Sequence, residues 1–321
     1  MPQPHRAVFL DLATVDRGDL DTASLQRLPL DWSFHARTAP ERVSERIGDA
    51  RIVVSNKVLL DRRVLERAPA LELICIAATG TNNVELEAAR ERGIAVTNVT
   101  GYATASVVQH VFALILALTT RLAEYRRDVD AGAWQRSDLF CLLDHPIREL
   151  AGRRLGIVGY GELGRGVARL AQAFGMEVLL ARRPGGPPRE GRLPLAQLLP
   201  RVDVLSLHCP LTETTRGLIG AAELERMRPD ALLINTARGG IVDEEALATA
   251  LRRGRLGGAG IDVLAQEPPL DDSPLLQPGI PNLIVTPHIA WASRESRQRL
   301  LDQVAANIDA HLAGEQRNRV V

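Results

Sequence analysis

Short apolar runs, separated by stretches long enough to form a helix, recur along nearly the whole chain. Runs that are apolar on both faces are typical of parallel strands covered by helices on each side. The sequence therefore predicts an α/β fold with two doubly wound, Rossmann-like parallel sheets, the second inserted into the first. The runs are AVFLDL (7–12), RIVVSN (51–56), LELICIAATG (71–80), IAVTNV (94–99) and, after Arg153, RLGIVGYG, EVLLAR, VDVLSLHCP, ALLINTARGG, GGAGIDVL and NLIVTPH.

Helical patterns lie between most of these runs. Residues 85–92 predict a short helix that ends at a glycine, and a long helix begins near Ala103 and runs past VFALILALTTRLAEYRR. Residues 127–150 hold aromatic side chains among charges without clear periodicity, so they form either an arm that covers another subunit or a surface loop. The last helix has one apolar face, formed by Leu301, Val304, Ile308 and Leu312.

Composition argues against several classes of partner. Lysine plus arginine and aspartate plus glutamate number 39 each, so no net charge favours nucleic acid or an anionic membrane. The most apolar stretch, Val111–Leu118, is far shorter than the roughly 20 residues that a bilayer requires. Three scattered cysteines, Cys75, Cys141 and Cys209, indicate reduced thiols and no zinc site. We expect a cytoplasmic protein without a nucleic-acid partner, a membrane contact or a bound metal.

A glycine-rich loop follows the first strand candidate of the second half. LGIVGYGELGRG places Gly159, Gly161 and Gly164 in G-x-G-x-x-G spacing, with Glu162 and Leu163 between the last two. The loop follows an apolar strand and opens an amphipathic helix, which is the context that makes this fingerprint credible. The glycines permit a tight turn and close approach of a pyrophosphate to the helix N-terminus. The loop predicts a dinucleotide-binding site.

The next strand ends in two arginines where an acidic residue is usual. An Asp or Glu about 20 residues after the glycines would accept hydrogen bonds from the ribose of NAD. Arg182 and Arg183 stand there instead. A guanidinium pairs with a 2′-phosphate, so the sequence predicts NADP(H) in preference to NAD(H), which remains the second cofactor. The alternative is that both arginines are solvated charges in a loop.

Three charged residues follow strand candidates in the second half. Arg238 lies in ALLINTARGG, Glu267 in GAGIDVLAQEPP after Asp262, and His288 in NLIVTPHIAWAS, each towards the end of an apolar run. Because ligands bind outside the carboxyl ends of parallel strands, we expect these side chains to converge. Arg238 would bind a carboxylate, His288 would donate a proton, and Glu267 would orient His288 and favour its charged form. With a hydride from a nicotinamide, this set fits reduction of a 2-keto acid.

Several motifs, in order and over nearly the whole chain, resemble those of the D-isomer-specific 2-hydroxyacid dehydrogenases. Within that family, PHIAWAS and AATGTNNV look most like the hydroxypyruvate and glyoxylate reductases, also called glycerate dehydrogenases. The resemblance implies a small 2-keto or 2-hydroxy acid as substrate. It rests on AATGTNNVELEAARERGIAV, GIVGYGELGRGVA, TARGGIVDEEAL, GAGIDVLAQEP and TPHIAWAS.

The resemblance also implies a domain organisation. Residues 1–100 and 290–321 would form a discontinuous substrate-binding domain around an NAD(P)-binding Rossmann domain of residues 101–289. Members are typically homodimers joined through the Rossmann domain, which favours the interpretation of residues 127–150 as a dimer arm.

Further residues take roles from the resemblance alone. The backbone N–H groups of Thr79 and Gly80 would bind the substrate carboxylate, and Trp291 would close the substrate pocket. Asp262 would hold the nicotinamide carboxamide. The cofactor would also be lined by Val107, Cys209, Pro210 and Thr236.

Two alternatives remain at this point. A dehydrogenase of the same fold could act on phosphite or a bulkier 2-keto acid, because Arg238, Glu267 and His288 bind an anion and move a proton without contacting the rest of the substrate. The second alternative is a nucleotide-sensing scaffold similar to the corepressors of this fold. The short segment EQRNRVV after the last predicted helix argues against it. Arg182 departs from the family pattern, which commonly has Asp there, and puts a preference for NAD in doubt.

Overall fold

The computed structural model describes residues 5–321 and consists of two compact units. One unit comprises residues 5–103 together with Trp291–Val321, and the other comprises Thr104–Ala290. Each unit has its own buried apolar core, and each core packs on one parallel sheet.

The first unit contains a five-stranded parallel sheet in the order β2-β1-β3-β4-β5. Every residue of β3 and β4 is buried, as expected for strands covered on both faces. In chain order the strands and α-helices of its first segment are β1 (His5–Phe9), α1 (Ala23–Gln26), β2 (Leu30–Phe34), α2 (Val43–Ile47), β3 (Ile52–Ser55), α3 (Arg62–Glu66), β4 (Leu73–Ile76), α4 (Leu86–Glu91) and β5 (Ala95–Thr97).

The second unit contains a seven-stranded parallel sheet in the order β12-β11-β10-β9-β6-β7-β8. The chain starts in the middle of this sheet at β6 and builds outward in both directions, so the strand order reverses between β6 and β9. Its elements are α5 (Thr104–Thr120), α6 (Leu122–Asp130), β6 (Arg154–Val158), α7 (Glu162–Ala173), β7 (Glu177–Ala181), β8 (Arg192–Leu193), α8 (Leu195–Leu198), β9 (Val204–Leu207), α9 (Ala221–Arg226), β10 (Leu232–Asn235), α10 (Glu244–Arg252), β11 (Gly258–Ile261) and β12 (Leu283–Val285).

These sheets confirm the predicted fold class, and every strand expected from the apolar runs is present. Two strands were not predicted. β2 reads LDWSF and β8 has only two residues, and both lie at sheet edges, where a strand needs little apolar surface. The last helix, α11 (Arg294–Leu312), buries Leu301, Val304 and Ile308 of the predicted apolar face, whereas Leu312, the last residue of the helix, is 36% exposed.

The single long helix predicted from Ala103 is in fact two helices. Arg121 adopts a left-handed conformation with φ of 56°, and α5 and α6 bend by 60° there. Arg121 Nη1 donates to Asn282 Oδ1 at 2.6 Å and pairs with Glu124 at 3.2 Å, so side-chain contacts hold the break. In the described part of the chain no single helix is long and apolar enough to cross a membrane; α5 and α6 meet that test only as a bent pair.

Candidate active site

The glycine-rich loop joins β6 to α7. Gly159 has φ of 94°, and a Cβ there would lie 2.5 Å from the carbonyl carbon of His208. A Cβ on Gly164 would lie 2.2 Å from the oxygen of Gly159, whereas a Cβ on Gly161 would meet no atom within 4 Å. Packing therefore requires glycine at the first and third positions, and the second faces open space.

The N-terminus of α7 has no side-chain cap. The first N–H groups of a helix have no partner within it, so an uncapped N-terminus beside a glycine loop is suited to binding a phosphate. Glu162 accepts a hydrogen bond from Thr104 Oγ1, and Leu163 is half-buried. These residues fit the pyrophosphate of a dinucleotide.

Three arginines surround the carboxyl end of β7. Arg182 is half-buried and Arg183 is exposed. Arg192 of β8 lies beside them, and its guanidinium carbon is 5.0 Å from the centre of the Tyr160 ring, within the glycine-rich loop. Sequence reasoning missed Arg192 because nothing in the pattern predicts a two-residue edge strand.

Arg238 follows β10 and is exposed. Its backbone is fixed by Asn235, whose Nδ2 donates to the Arg238 oxygen at 3.0 Å. A Cβ on Gly239 would lie 1.8 Å from the oxygen of Leu264, so glycine is required for the loops after β10 and β11 to touch. This contact brings Arg238 to the segment that carries Glu267.

Glu267 and His288 form a hydrogen-bonded pair. His288 Nδ1 lies 2.6 Å from Glu267 Oε2, and Glu267 Oε1 accepts from the Leu264 N–H at 2.9 Å. Both side chains are about one-third exposed. With Nδ1 donating to a carboxylate, Nε2 of His288 is the nitrogen left for a substrate.

Asp262 lies beneath the segment that carries His288. Its side chain is fully buried, and its oxygens accept from the N–H groups of Ile289 and Ala290, both at 2.9 Å, and from Thr286 Oγ1 at 2.5 Å. His110 Nε2 of α5 lies 3.0 Å from Thr286 Oγ1. Sequence reasoning missed His110; its only signal is a histidine within an apolar helix.

The remaining predicted cofactor residues lie in the same unit. Val107 is buried in α5, and Cys209 is buried after β9, where burial raises the pKa of its thiol. Pro210 is exposed. Thr236, at the end of β10, has a buried hydroxyl for which the described residues supply no hydrogen-bond partner. An unpaired hydroxyl beside the strand ends is consistent with a bound ligand.

The predicted substrate residues Thr79, Gly80 and Trp291 lie in the other unit. Thr79 Oγ1 donates to the Val99 oxygen at 2.8 Å, which anchors the loop after β4. Trp291 packs edge-on against Tyr102, with ring centres 6.3 Å apart. Among residues 5–321, no group of three His, Cys, Asp or Glu side chains could hold a metal ion.

Comparison with known proteins identifies the family. The model of the D-isomer-specific 2-hydroxyacid dehydrogenase NAD-binding domain matches residues 112–290. A glycerate dehydrogenase of Methylorubrum extorquens is 44% identical over 316 residues, covering 98% of each chain. A glyoxylate reductase of Korarchaeum cryptofilum is 40% identical over 294 residues, covering 88% of this chain and 86% of its own.

A solved structure agrees over the full length. The NADPH-dependent glyoxylate/hydroxypyruvate reductase of Sinorhizobium meliloti, in complex with NADP and malonate, superposes with a TM-score of 0.82 and 30% identity, covering 99% of this chain and 97% of its own. These relatives are oxidoreductases, and neither a dehydrogenase for phosphite or a bulkier 2-keto acid nor a corepressor-like scaffold is favoured. The chain belongs to the D-isomer-specific 2-hydroxyacid dehydrogenases, the NAD(P)-dependent oxidoreductases that its motifs resemble.

Proposed function

We propose that this chain reduces hydroxypyruvate to the D-2-hydroxy acid, or glyoxylate to glycolate, and prefers NADPH to NADH. The observation that carries the proposal is the group at the carboxyl ends of β10, β11 and β12. It combines an exposed cation, Arg238, with a histidine that is hydrogen-bonded to a carboxylate, His288 and Glu267. Reduction of a 2-keto acid requires an anion-binding group and a proton donor of this kind.

Each side chain has one role in the proposed reaction. Arg238 binds the substrate carboxylate through its planar guanidinium and so orients the keto group. His288 Nε2–H donates a proton to the keto oxygen as that oxygen gains negative charge, and Glu267, 2.6 Å from Nδ1, orients the imidazole for this step. When bound, the reduced nicotinamide supplies the hydride that C2 accepts. His288 then regains a proton from solvent.

Asp262 has a positioning role in this proposal. Its carboxylate is committed to the Ile289 and Ala290 N–H groups, and the His288 N–H donates to its main-chain oxygen at 2.9 Å. A carboxylate has about four acceptor sites, and the Asp262 Oδ2 that accepts from the Ala290 N–H can also accept from a nicotinamide carboxamide. Thr236, with its buried unpaired hydroxyl, is a second candidate partner for the cofactor at these strand ends.

Arginine at the end of β7 supports the preference for NADPH. Arg182 lies at the position from which an acidic side chain would bind the ribose hydroxyls, and an arginine cannot accept those hydrogen bonds. Arg183 and Arg192 add positive charge beside it. A 2′-phosphate offers the negative charge that these three side chains can bind.

The proposal includes a cytoplasmic homodimer. The segment after α6 exposes large apolar side chains that a second copy of the chain would cover, and all three cysteines are unpaired, which suits a reducing compartment. The exposed fractions are 49% for Trp134, 66% for Leu139, 89% for Phe140, 79% for Leu143 and 58% for Ile147.

Initial rates of NADPH oxidation with hydroxypyruvate and with glyoxylate test the activity. His288→Ala serves as the variant without the proton donor, and we expect it to lose at least about a hundredfold in kcat. Absence of cofactor oxidation by the natural chain with both keto acids would contradict the proposed function. Full turnover by His288→Ala would contradict the role of the histidine.

The cofactor preference is tested with Arg182→Asp. We expect the ratio of kcat/KM for NADPH to that for NADH to exceed one in the natural chain and to fall by about tenfold or more in the variant, because a charge-assisted pair with the 2′-phosphate is lost. Arg189→Asp, an equal change of charge at an exposed position in the loop after β7, is the matched control. Equal rates with both cofactors in the natural chain would mean that Arg182 does not bind a 2′-phosphate.

A further inference from the structure

Lys57 is the only lysine among the 39 lysine and arginine residues of the chain. It lies two residues beyond the carboxyl end of β3, and its side chain is exposed. Arginine and lysine are not equivalent, because an ammonium is a compact charge with three donors that rotate, whereas a guanidinium is a rigid planar fork. All other basic side chains of the chain are arginines, whose planar guanidinium suits two coplanar oxygens. The single lysine is instead suited to hydrogen-bonding one oxygen atom.

A buried carboxylate fixes the backbone of Lys57. Asp11, which is 3% exposed, accepts hydrogen bonds from the N–H groups of Asn56 at 2.9 Å and of Lys57 at 2.6 Å. Burial raises the pKa of Asp11, so the fold keeps this group at an energetic cost. Asn56 Nδ2 also donates to Thr14 Oγ1 at 3.0 Å. The Cα of Lys57 is thus held at a defined place beyond the carboxyl end of β3.

The Lys57 loop is bonded to the loop that follows Thr79 and Gly80. Asn83 Nδ2 donates to the Val58 oxygen at 3.2 Å, and the Leu60 N–H donates to the Asn83 oxygen at 2.8 Å. The strands before the two loops, β3 and β4, are parallel neighbours in the sheet. The two loops therefore lie side by side at the carboxyl edge, where ligands of parallel sheets bind.

We propose that Lys57 determines substrate preference by hydrogen-bonding an oxygen on C3 of the 2-keto acid. This rests on the proposed function and on the expectation, from the family resemblance, that the backbone N–H groups of Thr79 and Gly80 also bind the substrate carboxylate. A lysine on the neighbouring loop then lies beside the remainder of the substrate. Hydroxypyruvate has a hydroxyl at C3, pyruvate has only hydrogens there, and glyoxylate has no C3. The ammonium therefore favours hydroxypyruvate over the other two.

The test compares Lys57→Met, which keeps the apolar stem and removes the ammonium, with Lys57→Arg. In the natural chain kcat/KM is measured for hydroxypyruvate, pyruvate and glyoxylate. We expect the ratio of hydroxypyruvate to glyoxylate to fall between about tenfold and a hundredfold in Lys57→Met, the range for a hydrogen bond to a charged group. Lys57→Arg, which keeps the charge, should lose less.

The outcomes separate the two proposals. If the natural chain turns over none of the three acids, the proposed function fails. If it turns them over and Lys57→Met lowers all three equally, Lys57 acts on the common carboxylate and this inference fails. An unchanged ratio in Lys57→Met also overturns it.

A second measurement does not depend on turnover. Because Lys57 is the only lysine, reductive methylation with ¹³C-formaldehyde labels its Nζ and the N-terminal amine alone, and Lys57→Arg identifies which NMR signal is which. With NADPH present, so that no reaction occurs, D-glycerate should shift the Lys57 signal. Glycolate, which lacks C3, should leave it in place. Equal shifts with both acids, or none with D-glycerate, would overturn the inference.

Discussion

His288 adopts a left-handed conformation with φ of 54°, which residues with a side chain rarely occupy. Such a conformation persists only when its surroundings fix it. Here Asp262 fixes it, since its main-chain oxygen accepts from His288 and its carboxylate accepts from the next two N–H groups. The same carboxylate accepts a hydrogen bond from Thr286 Oγ1, which lies 3.0 Å from His110 Nε2. The orientation of His288, the proposed proton donor, therefore depends on a chain of contacts that reaches α5.

His110 is thus expected to be a positioning residue. His110→Phe removes the contact with Thr286 but keeps a ring of similar size, and His110→Gln keeps a hydrogen-bonding group. We expect His110→Phe to lower kcat between about tenfold and a hundredfold, because a small displacement of the proton donor misaligns the reacting atoms. KM for the keto acid and Kd for NADPH should change little.

Steady-state rates together with NADPH titration by tryptophan fluorescence check this expectation. His110→Gln should recover much of kcat, which a purely structural role would not require. A loss that appears in the melting temperature and in Kd, with kcat intact, would show that His110 only supports the fold.

Arg238, Glu267 and His288 could be predicted because each follows an apolar run, and the carboxyl ends of parallel strands share one edge. The contacts of Asp262 and His110 could not be predicted. They depend on the pairing of β11 with β12, where Ile261 lies opposite Val285, and on which face of α5 packs there. Neither the strand register nor the helix rotation is visible in a single apolar pattern.

At the scale of elements, the junction of β6 and α7 shows how one motif combines two demands. Gly159 and Gly164 are fixed by backbone contacts that a Cβ would violate. Gly161 has open space around it and an extended backbone, with φ of −80°. The first and third glycines therefore serve packing, whereas the second, Gly161, leaves room for a ligand at the helix N-terminus.

Gly161→Ala should separate binding from folding. We expect its free energy of unfolding to change by less than about 0.5 kcal/mol, as for surface substitutions. Its Kd for NADPH should rise at least about tenfold, because the new methyl group occupies space that the pyrophosphate approaches. Gly159→Ala is the comparison that should also destabilise the fold, since alanine is strained at φ of 94°. Denaturant unfolding and isothermal titration with NADPH measure both quantities, and unchanged binding by Gly161→Ala would place the pyrophosphate elsewhere.

Elements that sequence patterns miss depend on contacts with residues outside the element itself. The helix break at Arg121 depends on Asn282, far along the chain, and VFALILALTTRLAEYRR contains no Gly or Pro that would predict it. β8 forms by parallel pairing with β7, in which Arg192 lies opposite Leu180. Its two residues are too few to show any periodicity in the sequence. The long runs around them were predictable because burial on both faces demands continuous apolar sequence.

At the scale of the whole molecule, the two sheets are built from the same kind of strand, yet the buried titratable groups differ between them. In the unit of residues 5–103 and 291–321, Asp11 is buried and its pKa is raised. In the unit of Thr104–Ala290, burial lowers the pKa of His208 to about 4, and its Nδ1 is buried without a hydrogen-bond partner among the described residues. The stability of the nucleotide-binding sheet should therefore be sensitive to mild acid.

The direction follows from proton binding. Between pH 6.5, the ordinary pKa of histidine, and pH 4, the unfolded chain binds a proton at His208 that the folded chain does not. Stability contributed by the neutral imidazole is thus complete above pH 6.5 and is lost as the pH falls through that window, by up to about 3 kcal/mol. Denaturant unfolding at a series of pH values should show this loss in the natural chain, and His208→Gln should flatten it, because a glutamine does not titrate. His5→Gln, at an exposed strand end, is the matched control and should keep the slope. If His208→Gln retains the full slope, the acid sensitivity arises from other groups, and His208 is protonated in the folded protein.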